Sequence, residues 1–282
     1  MEYVIEMQDV VRNFDRKEVL KGVNLKVSPG EIFGLLGPSG AGKTTIIKIL
    51  TGQLRCTKGA SMILGQDTGA LEPFVYRKMG MMMDNLGLYE RLSCYDNLKL
   101  FAKIYQVPRG RISEVLRQVD LADAAREPVS KLSKGMRGRL ALARAVMNEP
   151  EILFLDEPSS GLDPQAVSMI HQLIKKEQER GAAIFLTTHN MEEASKLCDH
   201  IALLNEGKIV EYGSPKEICL RYNHQNKLQI RLLDGRNVAL PNGSMAADEV
   251  KDYLEKEMVE TIHSTEPSLE TVFMELTGRR FE

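Results

Sequence analysis

Gly37-Pro38-Ser39-Gly40-Ala41-Gly42-Lys43-Thr44-Thr45 is the stretch on which the reading of this chain turns. The near-continuous apolar run Glu31-Ile32-Phe33-Gly34-Leu35-Leu36 leads into it, and Thr45-Ile46-Ile47-Lys48-Ile49-Leu50 follows, so buried strand, tight loop and helix come in order. In that setting glycines let backbone N–H groups point inward at phosphate oxygens. Lys43 neutralises charge at the β and γ positions, and Thr44 offers a hydroxyl to Mg²⁺. All nine residues are therefore candidates for binding a triphosphate.

A second apolar run, Ile152-Leu153-Phe154-Leu155, ends in Asp156-Glu157. Asp156 should emerge at the carboxyl edge of the sheet, where ligands of open α/β sheets collect and where a water-bridged Mg²⁺ needs a partner. Glu157 points elsewhere and is the candidate general base for water. Two acids at a strand tip can simply be solvated; beside a phosphate loop, metal ligand and base is the better reading. His189 follows the run from Ala183 to Thr188 and should reach the same edge, although such a residue is often an ordinary strand-end histidine. Upstream of the acidic strand, Leu132-Ser133-Lys134-Gly135-Met136 reads as a helix start able to close over the γ-phosphate of a neighbouring molecule. Half of a nucleotide sandwich is thus present, and a second copy or a relative is implied.

Around these motifs, strands expected at 79–83, 151–155, 183–188 and 201–204 alternate with helices such as 164–179 and 191–197, which indicates a mainly parallel α/β sheet covered on both faces. Tyr3 to Met7 and Val23 to Val27 alternate and predict a small antiparallel β subdomain. Residues 86–150 show helical spacing only and predict a helical insert, with Ser93 and Asp96 as a capping-box-like start. Met81-Met82-Met83 reads as packing on a buried strand. After Gly213 the character changes. Leu228, Ile230 and Leu232 alternate up to an Asp234-Gly235 turn, Val238 to Leu240 return, and helices are expected at 246–257 and 268–276. The expected division is a domain over residues 1–220 and a small α+β accessory domain over 226–282.

Composition bounds the function. The 282 residues carry a net charge of −2 with both signs interspersed, so no basic stripe advertises nucleic acid. Cys56, Cys94, Cys198 and Cys219 are scattered with no Cys-x-x-Cys pair, which argues against zinc and against a disulfide framework, and for reduced cytosol. The amino terminus lacks the pattern of a signal peptide, and no apolar run approaches the roughly 18 residues needed to span a bilayer. A membrane process would need another polypeptide to cross.

The order and spacing of these segments resemble the nucleotide-binding domain of the ATP-binding cassette (ABC) family over roughly residues 1–220. The resemblance implies ATP and Mg²⁺ as ligands, with 37–45 as Walker A, Asp156 and Glu157 closing Walker B, and 132–136 in the place of the family signature. It implies further that Ser160-Gly161-Leu162-Asp163 is the D-loop, His189 the switch histidine, and Phe14 the aromatic that stacks on adenine, unless Phe14 is an ordinary core residue. Three residues in two motifs depart from the family pattern: Lys134 and Met136 replace a glycine and the glutamine of the signature, and Asp84 stands where the Q-loop glutamine is usual. Asp84 is expected to keep a metal-facing role.

The resemblance favours the ATPase subunit of a transporter, held at the cytoplasmic face of the membrane by a separate permease, paired with a second ABC subunit, and with no nucleic acid as partner. Residues 86–98 resemble the groove that receives the permease, and Tyr89, Glu90 and Arg91 are contacts there or solvated loop residues. The closing Pro267 to Gly278 looks like the tail of bacterial drug, antibiotic and peptide exporters. The alternative, a non-transport member acting on DNA or ribosomes, would need coiled-coil arms, zinc modules or a second cassette in the chain.

Overall fold

The structure, a computed structural model, describes residues 2–15, 17–83 and 86–278. The chain divides into two compact units, the first running to Ser214 and the second beginning at Pro215. The first opens with β1 (Ile5–Phe14), β2 (Lys17–Val27), β3 (Ile32–Leu36), α1 (Lys43–Leu50), β4 (Lys58–Ile63) and β5 (Gln66–Asp67). It continues with α2 (Pro73–Arg77), β6 (Met79–Met82), α3 (Cys94–Tyr105), α4 (Gly110–Gln118) and α5 (Lys134–Val146). β7 (Ile152–Asp156), α6 (Pro164–Glu179), β8 (Ala183–Thr188), α7 (Met191–Leu197), β9 (His200–Asn205) and β10 (Lys208–Gly213) complete it.

The apolar runs without alternation became strands buried on both faces: every residue of β3, β7 and β8 is buried. They sit in a sheet of order β10-β9-β3-β8-β7-β6, parallel throughout except for the antiparallel edge strand β10. Register aligns their carboxyl ends, with Leu36 of β3 opposite Thr188 and Asp156 of β7 opposite Thr187. A second sheet, β2-β1-β4-β5, is antiparallel. Its inward residues, including Ile5, Val10, Leu20 and Val23, share one core with Phe33, Phe154 and Phe185 of the parallel sheet, with Ile46 and Ile49 of α1 also in that core. Met79 and Met82 are buried and Met81 and Met83 pack on the same core, as expected of a buried strand.

The helical insert is α3, α4 and α5. Ser93 caps α3, accepting from the Asp96 N–H at 3.0 Å while its hydroxyl lies 2.7 Å from the Asp96 carboxylate. Asn97, fully buried, accepts from the Tyr89 N–H at 2.8 Å and donates to the carbonyls of Tyr89 and Ser93, which pins the loop before the helix.

The second unit comprises α8 (Pro215–Arg221), β11 (Lys227–Leu232), β12 (Asn237–Pro241), α9 (Ala247–Glu255), β13 (Val259–Ser264) and α10 (Leu269–Thr277). The expected hairpin is there, turning at Gly235 with φ 85°. Its core joins Ile230, Leu232 and Leu240 to Val250 and Tyr253 of α9. Sequence periodicity missed β13, which pairs with the free side of β11, because only Val259 and Met258 reach that core and the rest of the strand is exposed. Within the second unit α8 packs against α10, so this compact unit includes the helix that precedes residue 226.

Helix α5 crosses β6 so closely that a Cβ on Gly80 would lie 2.0 Å from the Ala145 carbonyl oxygen. Gly80→Ala must push backbone against backbone, and urea denaturation should show a loss of about 1–3 kcal/mol. Unchanged stability would contradict that packing.

Candidate active site

The turn between β3 and α1 is built by Gly42, whose φ of 117° disfavours any other residue and where a Cβ would lie 2.7 Å from the Leu20 side chain. Gly42 caps α1 without a side-chain hydrogen bond, so the N–H groups of the first turn keep no acceptor from the cap and present a positive helix end. The loop is braced internally by Ala41 N–H to Pro38 oxygen at 3.1 Å, and from outside by Gly207 N–H to Ala41 oxygen at 3.1 Å. Lys43 curls back over it, donating to the carbonyls of Gly37 and Pro38. Burial pushes the Lys43 ammonium below its usual range, against the pull of Glu157 and Asp156.

Asp156, 6% exposed, accepts a hydrogen bond from the Thr187 hydroxyl on the neighbouring strand, which fixes its rotamer. Glu157 leaves the strand with φ 52°, a left-handed conformation that a glutamate adopts at a cost, held by its N–H to the Thr187 carbonyl at 3.0 Å. That kink turns its carboxylate sideways, with one oxygen 4.0 Å from Lys43 Nζ and the other 2.7 Å from His189 Nδ1. Because a carboxylate only accepts, Nδ1 is the protonated nitrogen in this contact. Burial raises the Glu157 pKa, and His189 and Lys43 oppose the rise. A glutamate held in this way suits proton abstraction near neutral pH.

A cleft of about 430 Å³ lies over the loop, lined by Pro38, Ser39, Gly40, Gly42, Lys43, Thr44, Thr45, Asp156 and Glu157, together with Lys17 and Val19 of β2. Lys17 went unnoticed in the sequence; its only signal was a cation next to the turn of the β1–β2 hairpin. Thr44 and Asp156 bring a hydroxyl and a carboxylate to one cleft, hard oxygen donors of the kind Mg²⁺ takes beside phosphate and water. Among the described residues no group of three or more His, Cys, Asp or Glu forms a metal site by itself. Asp84 lies outside the described residues.

Other candidates stand apart from this lining. Phe14 is 39% exposed, so it is not a core residue, and the Arg12 guanidinium lies over its ring at 4.5 Å from the centroid. Ser133 caps α5, accepting from the Met136 N–H at 3.2 Å. Gly135 faces the Asp163 carboxylate, which itself caps α6 through the Ala166 N–H at 2.9 Å. The signature and the turn before α6 thus form one patch of the surface.

Residues 20–160 match the family described as ABC transporter. The chain is 40% identical to a fluoroquinolones export ATP-binding protein of Mycobacterium tuberculosis (strain CDC 1551 / Oshkosh) over 268 residues, 93% of this chain and 88% of the relative. Among solved structures it resembles an ATP-binding subunit of an ABC transporter, with a TM-score of 0.72 at 28% identity over 78% of this chain and 93% of that one. It also resembles a dimeric ATP-binding cassette in a post-hydrolysis state bound to ADP and Pi, with a TM-score of 0.67 at 27% identity over 74% of this chain and 98% of that one.

In the nucleotide-free chain the Glu157 carboxyl should titrate above the ordinary glutamate range, remaining protonated at a pH where an exposed glutamate is already ionised. His189→Ala removes an opposing influence and should move the titration further up. Carbon-13 NMR of the carboxyl reads both shifts; a fall in the variant would contradict the arrangement.

Proposed function

The chain belongs to the ABC transporter family, and from that premise we propose that it is the ATP-hydrolysing subunit of an exporter, driving a separate permease from the cytoplasmic face of the membrane. It binds and hydrolyses ATP as the family does. What supports the site assignment is a single observation: the phosphate loop, Asp156, Glu157 and His189 meet at one sheet edge, whereas Ser133 and Gly135 are not part of the cleft lining. The cleft therefore wants a second surface, and the Ser133 helix start of another ABC subunit fits that need.

In this reading ATP lies along residues 37–45, with Phe14 as the platform for its base. Lys43 swings from the loop carbonyls to the phosphates, and Glu157 takes a proton from the attacking water as its oxygen bonds to the γ-phosphorus, while the bond from that phosphorus to the β,γ-bridging oxygen breaks and ADP leaves. His189 holds the Glu157 carboxylate and senses the γ-phosphate. Mg²⁺, when bound, would neutralise phosphate charge, held by Thr44, Asp156 and Asp84. Phosphoryl transfer asks the protein mainly for positioning and charge, which this edge supplies.

Export is favoured by the relative of that description and by the Pro267–Gly278 tail. No helix among the described residues is long and apolar enough to cross a membrane, and in this reading the permease is a separate partner. Tyr89, 52% exposed, and Leu92, 37% exposed, sit on the loop pinned by Asn97 and suit a docked helix. The second unit is proposed as an accessory domain.

Glu157→Gln should keep ATP binding and accumulate ATP-dependent dimer in light scattering, while hydrolysis falls by about 10²–10⁴-fold; turnover at the normal rate would remove Glu157 as the base. Ser133→Ala should weaken the same dimer. Asp84→Gln and Asp84→Ala should alter the Mg²⁺ dependence of turnover, and no change in either would take Asp84 out of the site. Purification from membranes should bring down an integral membrane protein; tight binding to DNA or ribosomes at physiological salt would speak for the non-transport alternative.

A further inference from the structure

We propose that Glu193 is a positioning residue for hydrolysis: its buried carboxylate ties the turn that follows Glu157 to the segment that carries His189, and so sets the contact between those two residues. The inference rests on the assignment of Glu157 and His189 made above.

Glu193 lies on α7 and is only 3% exposed. A carboxylate out of water is costly unless donors surround it. Here three side chains do. The Thr188 hydroxyl donates to one oxygen at 2.8 Å, His171 Nε2 on α6 donates to the other at 2.9 Å, and the Ser159 side chain supplies a further hydrogen bond. Burial pushes the carboxyl pKa up, but the bonds from His171, Ser159 and Thr188 outweigh this and leave it below the ordinary glutamate range. The group is therefore an anion at neutral pH.

What matters is where those donors sit in the chain. Ser159 is two residues past Glu157, and Thr188 is the residue before His189. The Thr188 hydroxyl also accepts the Asn190 N–H at 2.9 Å, and Asn190 caps α7 by accepting the Glu193 N–H at 3.0 Å. His189 is thus held between two residues that are both fastened to the start of α7. One carboxylate reaches both halves of the 2.7 Å contact between Glu157 and His189 without touching either. Packing alone would be served by a leucine without the desolvation cost. Positioning gives the charge a purpose, because a displacement of about 1 Å at reacting groups can cost on the order of 10² in rate.

Steady-state ATPase of the full-length chain, per folded molecule and well below its Tm, tests this. Glu193→Gln keeps the volume and one acceptor but loses the charge; kcat should fall about tenfold or more while the ATP KM stays within about twofold. Ser159→Ala and Thr188→Val each remove one arm and should lower kcat several-fold, with much smaller further losses when combined with Glu193→Gln. Wild-type kcat in Glu193→Gln, or fully additive losses, would overturn the proposal. Should Glu193→Gln not fold, the single-arm variants decide, and wild-type kcat in both overturns it. Glu157→Gln run alongside separates the two ideas: turnover there sinks the base, whereas an inactive Glu157→Gln beside a fully active Glu193→Gln sinks only the role of Glu193.

Discussion

The parallel register of β3, β8 and β7 is the constraint on which the rest depends. Strands of this kind resist slipping, because a shift of one residue would exchange their two faces, and here both are packed against different neighbours. Leu36, Thr188 and Asp156 therefore end at one level. Every chemical feature hangs from that line: the phosphate loop leaves β3, the acidic pair leaves β7 and the histidine leaves β8, with β8 in the middle. Thr187 exploits the adjacency, giving its hydroxyl to Asp156 and its carbonyl to the Glu157 N–H.

Electrostatics at this edge is balanced between partners already in hand. Lys43 is held by loop carbonyls and stands 4.0 Å from Glu157, while Glu157 is shared with His189. Burial works against the charged forms of Lys43 and Glu157, and each offsets part of the other's desolvation. In the proposed reading, a triphosphate arriving in the cleft draws Lys43 away and leaves Glu157 to His189, so that substrate binding would ready the proposed base.

Much of this was legible in the sequence, for identifiable reasons. Fully buried strands write themselves as unbroken apolar runs, so β3, β7 and β8 were found nearly to the residue. Candidate phosphate ligands are contiguous in sequence, so Gly37 to Thr45 and Asp156-Glu157 could be proposed before the cleft they line was seen. What stayed hidden was either weakly patterned or assembled from distant positions. The strand β13 exposes most of its side chains and shows no strong period. Lys17 enters the cleft only because the β1–β2 hairpin folds over it. Glu193 looks in the sequence like any helix-surface glutamate beside Glu192. Only the tertiary approach of His171 and Ser159 turns it inward as a buried anion.

The departures in the signature follow the same division between backbone and side-chain chemistry. The start of α5 is organised by the Ser133 hydroxyl and by main-chain N–H groups, and Met136 contributes to the cap only through its N–H. Its side chain is free to vary without disturbing that geometry, which is why a thioether can stand where the family usually has an amide. Lys134 differs in kind, since its ammonium fills the space that a side chain on Gly161 would need. Gly161, at φ 66°, is the turn residue leading to Asp163, and Asp163 in turn faces Gly135. A glycine at 134 could make no such bridge. Lys134 thus reaches from the start of α5 to the turn before α6 within one chain.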